Sequence, residues 1–323
     1  MTKKITPATS KKTTTAPTRT RPVADNAAIP GPAGSDSPTG GVAERAMLVN
    51  LSISYWTGKA SDDQVVDEIS AAHAADKDVH DYRKRLVKAE AVNKFKAVRS
   101  QARAYHLEKT LPWIDGGIRI LPAALYMDYV AKMHEFHSKY DEEIAAFLRA
   151  YPGLKVEARK RLGSLYREED YPTPESLLRK FGWDLGVFPI PQKDDWRVNL
   201  GNKEAETIRS QIEERVTAAL SMATRDLWKR LYEVVRALAE KMAEAEPKFR
   251  DSIIGNIREL VGMLPQMNIT DDPKLETMRR QVDEQLAKLN PDELRDDPKA
   301  RKKTRDAADK LLEAMAGYVG HHN

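Results

Sequence analysis

Apolar residues recur with a period that changes several times along this chain, and each change predicts an element. Between Met47 and Gly58 the period is two, with Val49, Leu51, Ile53 and Tyr55 on one side and Asn50, Ser52, Ser54 and Trp56 on the other. Alternation with β-branched and aromatic residues predicts a strand. The acidic Ser61–Asp63 run then opens a short helix to about Ala74. From about Asp78 to Leu111 the residues Val87, Ala91, Phe95, Val98, Ala102 and Tyr105 recur at three and four, which predicts one long amphipathic helix ended by Pro112. A second long helix begins near Pro122 or Ala123 and carries Leu125, Tyr129, Met133, Phe136, Ile144, Phe147 and Leu148. The pair Pro152-Gly153 should break it, with a further helix to about Tyr166. Thr173 before Pro174 reads as the N-cap and first residue of a short helix.

Gly186–Gly201 has prolines, Val, Phe, Ile and Trp but no helical period. It predicts two short extended segments that pair with the first strand in a small antiparallel sheet. From about Lys203 a stripe of Ile208, Ile212, Val216, Ala219, Ala223, Leu227, Leu231, Val234, Leu238 and Met242 predicts a long helical hairpin or coiled-coil arm. Pro247, Pro265, Pro273, Pro291 and Pro298 divide the remainder into shorter helices. The expected fold is mainly α with a small antiparallel β-sheet. A mixed α+β domain spans residues 44–202, and an extended helical C-terminal region spans residues 203–323. Residues 1–43 are rich in Thr, Pro and Lys, lack apolar periodicity and are expected to form a disordered tail.

Composition narrows the chemistry. Cysteine is absent, which excludes disulfides, thiolate metal sites and a cysteine nucleophile. The most apolar stretch, Ile120–Met127, is too short to span a bilayer, so a cytoplasmic protein without membrane contact is expected. The net charge of +4 lies in the tail: Lys3, Lys4, Lys11, Lys12, Arg19 and Arg21 face only Asp25 and Asp36 there, which leaves 47 basic and 47 acidic residues in the other 280. Nucleic-acid affinity would therefore come from the tail or from a local patch.

The least generic stretch is TLPWIDGGIRILP, Thr110–Pro122. Gly116-Gly117 has neither the spacing of a phosphate-binding loop nor a strand before it. Pro112 and Pro122 each disfavour helix at the preceding residue, the glycines allow positive φ, and Asp115 can bond nearby backbone N–H groups. Pro112, Trp113, Asp115, Gly116, Gly117, Arg119 and Pro122 are therefore expected to build a structural corner between two helices, with Arg119 as its polar contact.

Four motifs in one order carry a resemblance: the strand Leu51–Gly58, the TLPWIDGGIRILP stretch, the LGSLYREEDYP segment Leu162–Pro172 and the closing PIPQKDDWRV of Pro189–Val198. Over about residues 47–200 the chain resembles a bacterial and phage family, domain of unknown function 3150. The resemblance implies a phage or mobile-element setting and an accessory role beside a MoxR-type AAA+ ATPase. It implies no catalytic residues and no cofactor.

Two constellations bear on chemistry directly. His134, His137 and Asp141 share one helix face with ligand-like spacing for a divalent metal, but HExxH is absent and a solvated face is the weightier reading. Between Lys77 and Lys109 ten basic residues face four acids. On a continuous helix Arg85, Lys96, Arg99 and Arg103 fall within about 60° of arc, a strip suited to a phosphate backbone. No nucleophile elbow is visible. The reading is a non-catalytic accessory protein acting by protein–protein contact or self-association through its C-terminal helices, with nucleic-acid binding by the tail and the basic strip as the alternative.

Overall fold

The alternating segment at Met47 folds as expected and becomes an interior strand of the sheet. The computed structural model describes residues 40–114, 116–192, 202–244 and 251–319. The expected tail lies outside the described residues except at its last few positions. A short helix, α1 (Gly40–Arg45), leads into β1 (Ala46–Ser54). Two short strands, β2 (Lys59–Ser61) and β3 (Arg83–Arg85), pair with each other and flank α2 (Asp63–His73). Gly58 makes the turn before β2 with φ of 70°, and a Cβ there would lie 2.9 Å from Val87. Then come α3 (Ala89–Lys109), β4 (Leu111–Pro112), β5 (Ile118–Pro122), α4 (Tyr126–Leu162), α5 (Pro174–Leu178) and β6 (Gly182–Phe188). Strands β4, β5, β1 and β6 lie in that order in one antiparallel sheet, with Val49 opposite Arg119 and Leu51 opposite Leu185.

Three local expectations need correction. Asp78–Leu111 is not one helix, because its first part forms β3 and α3 starts only at Ala89. Lys84 points inward to acidic partners, and Leu86 and Val87 are buried, so an extended segment satisfies more groups here than a helix would. Second, α4 does not break at Pro152-Gly153 but runs through it. Seven buried side chains on one stripe, among them Tyr140, Phe147, Tyr151 and Ala158, hold the helix on the core across the proline. Their burial outweighs the roughly 3 kcal/mol that an interior proline costs. Third, Thr110–Pro122 does link the helices α3 and α4, but it does so as a β-hairpin. Leu111 pairs with Ile120 and Pro112 with Arg119, and β5 continues onto β1. Pro112 is tolerated because β4 is an edge strand, where a missing N–H costs little. Asp115 lies outside the described residues. Thr173 caps α5 as expected, accepting from the Ser176 N–H. Of the two extended segments expected after Gly186, the first belongs to β6 and the second lies outside the described residues.

The C-terminal region is helical: α6 (Asn202–Ala243), α7 (Ser252–Met267), α8 (Pro273–Val282), a π-helical turn at Asp283–Ala287, α9 (Pro291–Asp296) and α10 (Pro298–Val319). The stripe on α6 is covered by the chain itself. Val216, Ala223, Leu227, Leu231, Val235 and Leu238 are buried, and α6 packs along α10, α7 and β4. One cluster of buried side chains runs from Val42 to Met315, so the sheet and the C-terminal helices share a core. Among the described residues no helix is long and apolar enough to cross a membrane.

A polar joint crosses that core. Helix α3 ends without a glycine cap, and its last carbonyls have no partner within the helix. Arg230 of α6 supplies one, donating Nη1 to Glu108 O at 2.7 Å and Nη2 to Leu107 O at 3.0 Å and Thr110 O at 2.7 Å. Asp226 holds the same guanidinium through Nε at 2.7 Å. We predict that Arg230→Met lowers unfolding free energy by about 1 kcal/mol, since it removes the hydrogen bonds to the exposed Leu107 and Glu108 carbonyls and one of the two to the part-buried Thr110 carbonyl. Arg230→Lys should recover less than half of this, because an ammonium lacks the planar fork. Urea unfolding measures both, and a loss below about 0.5 kcal/mol would mean that water serves these carbonyls instead.

Candidate functional site

Side-chain chemistry concentrates in three places. The first is the middle residue of β3. Arg83 and Arg85 point to solvent and Lys84 points inward, with its side chain 1% exposed. Its ammonium donates to Asp62 Oδ2 at 2.6 Å and Leu165 O at 2.9 Å, and it pairs with Asp170 Oδ2 at 2.7 Å. Arg167 reaches the other oxygen of Asp62 at 3.2 Å. The hydrogen bond from Lys84 holds the Asp62 carboxyl below its ordinary range. Burial opposes the charge on Lys84, but the bonds to Asp170 and Asp62 outweigh it and hold the ammonium above its ordinary value. A lysine acting as base or Schiff-base nucleophile needs the opposite shift. Lys84 is a permanent charge that locks the small sheet to the Gly163–Asp170 segment.

The second is the end of α3. His106 is buried, with Nδ1 2.7 Å from the Tyr129 hydroxyl. Burial first, then Arg119 and Arg103, push the imidazole down to about 4. Burial pushes the Tyr129 phenol well above its ordinary value. Thr110 Oγ1 donates to His106 O and accepts from Arg119 Nε at 2.6 Å, while Arg119 Nη2 donates to Thr110 O at 3.0 Å. Arg119 is thus the polar contact expected of it, made inside the hairpin and toward α3. Both His106 and Tyr129 are sealed from solutes, so this near-neutral pair is architectural.

The third is a cleft of about 610 Å³ between the Pro152 turn of α4 and the segment leading to α5. Tyr151, Tyr166, Tyr171, Pro152, Pro172 and Pro174 form its walls, with Lys155, Arg159 and Glu168 at the rim. The tyrosine hydroxyls are engaged. Tyr151 donates to Pro172 O at 3.1 Å, Tyr171 donates to Leu86 O at 2.9 Å, and Tyr166 donates to Glu168. Burial pushes Tyr151 and Tyr171 up to about 12, so both stay phenols at neutral pH. Tyr166 and Tyr171 stack at 5.1 Å, and Arg159 lies over the Tyr166 ring at 5.0 Å. Lys155 pairs with Glu168. The cleft offers ring faces, proline edges and a paired charged rim.

The residues singled out in the sequence are dispersed. Arg85 lies on β3, not on α3, and its carbonyl accepts from Arg161 at 2.7 Å. The basic strip therefore loses a member, because the helix on which the arc was drawn begins four residues after it. Arg99 donates to Ile53 O at 3.0 Å and lies over the Tyr55 ring at 5.2 Å, so it ties α3 to β1. Lys96 and Arg103 remain exposed. His137 stacks on Trp183 at 5.0 Å and sits 3.6 Å from Asp141, while His134 is exposed. Among the described residues no three His, Asp or Glu side chains are placed to hold a metal ion. Pro112, Trp113, Gly116, Gly117, Arg119 and Pro122 all lie in the hairpin. Lys84, Asp62, His106, Arg230 and the tyrosine cleft were not singled out. Asp62 and Asp170 read as helix-start acids, and nothing in residue spacing links Arg230 to residue 110.

Two outcomes test these assignments. Lys84→Met should cost about 3–5 kcal/mol because it leaves buried carboxylates unpaired. The double change Lys84→Met, Asp62→Leu should regain more than half, as read by urea unfolding. For His106, the unfolded imidazole binds a proton near 6.5 and the folded one only near 4. Its stability contribution is unchanged above about pH 6.5, falls by up to ~3 kcal/mol as pH drops to about 4, and levels off below. His106→Asn should remove that component, so wild-type and variant stability curves should converge as pH falls from 7 to 5. Parallel curves would show that the imidazole is accessible to protons in the fold.

Comparison with known proteins finds no matching family model, no matching curated protein and no matching solved structure.

Proposed function

We propose that this chain is a non-catalytic accessory protein that works by protein–protein contact, and that the tyrosine cleft receives an extended, proline-containing segment of its partner. The observation that carries this reading is the cleft's lining: three tyrosines and three prolines around about 610 Å³, with every tyrosine hydroxyl already bonded within the chain. Aromatic-lined grooves accept proline-rich segments because such segments are extended before binding and lose little entropy. Rigid tyrosines supply contact area at low entropic cost. The buried ionisable groups support a binding role, since Lys84 and His106 are held in their ordinary neutral-pH charge states and spent on structure. The apolar stripe of α6 is used internally, which favours the cleft over the C-terminal helices as the docking surface. The motif resemblance implies a phage or mobile-element setting and an accessory role beside a MoxR-type AAA+ ATPase, which makes such an ATPase the partner to test.

Val156 gives the test, because it lines the cleft and is 62% exposed. An array of proline-containing peptides, including segments of a MoxR-type ATPase, should yield ligands in the micromolar range. Val156→Asp should weaken them at least about tenfold, a loss of ~1.4 kcal/mol, with urea stability unchanged. Absence of any ligand below about 1 mM, or equal binding by the variant, would overturn the reading.

A further inference from the structure

A cluster of exposed lysines lies on α10. Lys299, Lys302, Lys303 and Lys310 recur there at three, one and seven residues, and all are exposed. On a helix they fall within about 100° of arc and cover about 16 Å of axis. Thr304, Ala308, Leu311 and Met315 on the other side are buried, which aims the lysines outward. Together with Gln285 and Asp306 they line a shallow cleft of about 480 Å³ beside the π-helical turn.

The four lysines share this face with one carboxylate of the cleft, Asp306. Three cations of α6 take acids one turn away: Arg209 with Glu206, Lys229 with Glu233, Arg236 with Glu240. On α10 Arg305 pairs with Asp309. Among the described residues none of the four lysines forms an ion pair, although Asp306 lies within a turn of three of them. Four like charges on one face repel one another, and a polyanion relieves that repulsion.

We propose that this face of α10 binds the phosphate backbone of duplex DNA. The chemistry supports a backbone contact without sequence reading. Lysines are point-charge phosphate ligands, and the cleft holds no arginine fork for a base edge. It also holds no aromatic ring, so the bases of a single strand would find no stacking platform. A straight strip of this length matches a rigid duplex, which carries a charge every ~1.7 Å along its axis. This surface is separate from the tyrosine cleft and stands or falls independently of it. It also differs from the Lys96 and Arg103 face of α3.

The full chain and its Lys302→Glu, Lys303→Glu, Lys310→Glu variant should be titrated against a labelled 20-base-pair duplex by fluorescence anisotropy, between about 50 and 200 mM salt. All three side chains are exposed, so the fold should persist, and circular dichroism checks it. The variant should bind at least tenfold more weakly at the lower salt, with a log–log salt slope shallower by about 3. The variant Lys96→Glu, Arg103→Glu should keep most of the affinity. The proposal is overturned by an absence of duplex binding at the lower salt, by equal binding of the α10 variant, by loss confined to the α3 variant, or by tighter binding of an equal-length single strand.

Discussion

A helix that ends inside a protein must dispose of its last carbonyls, and the end of α3 determines how the two halves of this chain meet. Three of those carbonyls are taken by side chains: His106 by Thr110, and Leu107 and Glu108 by Arg230. The carbonyl of Thr110 itself accepts from both Arg119 and Arg230. Two guanidinium groups thus converge on the negative end of one helix, where the aligned peptide dipoles favour cations. Each repels the other, and Asp226 beside Arg230 offsets part of that repulsion. Arg119 belongs to the hairpin and Arg230 to the long C-terminal helix, so one helix end fixes the direction of both. The hairpin then lays β5 on β1, and α6 is held where its apolar stripe meets α10 and α7.

The same economy governs the other buried charges. The Lys84 ammonium has two hydrogen-bond acceptors, Asp62 and the Leu165 carbonyl, and a second carboxylate, Asp170, at ion-pair distance. Removing such a group from water is costly, and only near-complete pairing compensates. Its partners come from α2's start and from the Gly163–Asp170 segment, so the ion cluster specifies which loops meet. Lys84, His106 and Arg119 are thus committed to joints between elements. On its surface the chain presents two chemically distinct areas, an aromatic cleft with paired charges at its rim and the lysine face of α10.

The mainly α class, the small antiparallel sheet and the strand at Met47 were legible because each depends on a local period. Thr173 was legible because a cap needs only its own turn. What failed depended on contacts distant in sequence. The apolar stripe of Val87 to Tyr105 is real, but its first residue sits outside the helix because Lys84 is drawn toward Asp62 and Asp170, 22 and 86 positions away. The Thr110–Pro122 stretch carried correct turn signals, and its identity as a hairpin came from β1, more than sixty residues earlier. Arg230 gave no signal at all, being one arginine on a helix rich in charges. The tyrosine cleft was half visible: its LYREEDYP wall was noticed as a motif, but not the α4 surface opposite.

That missed surface and the misplaced helix break have one cause. Pro152-Gly153 reads as a stop because proline removes a backbone donor and glycine favours the unfolded chain. The core overrides the stop, since Tyr151 before it and Ala158 after it are buried on one stripe. A helix that survives such a pair presents an unusual outer turn. Pro152 contributes a rigid apolar edge. Tyr151 turns its ring to the same place while its hydroxyl is tied to Pro172 across the gap. Pro152, one of the residues that should have ended α4, therefore helps build one wall of the tyrosine cleft.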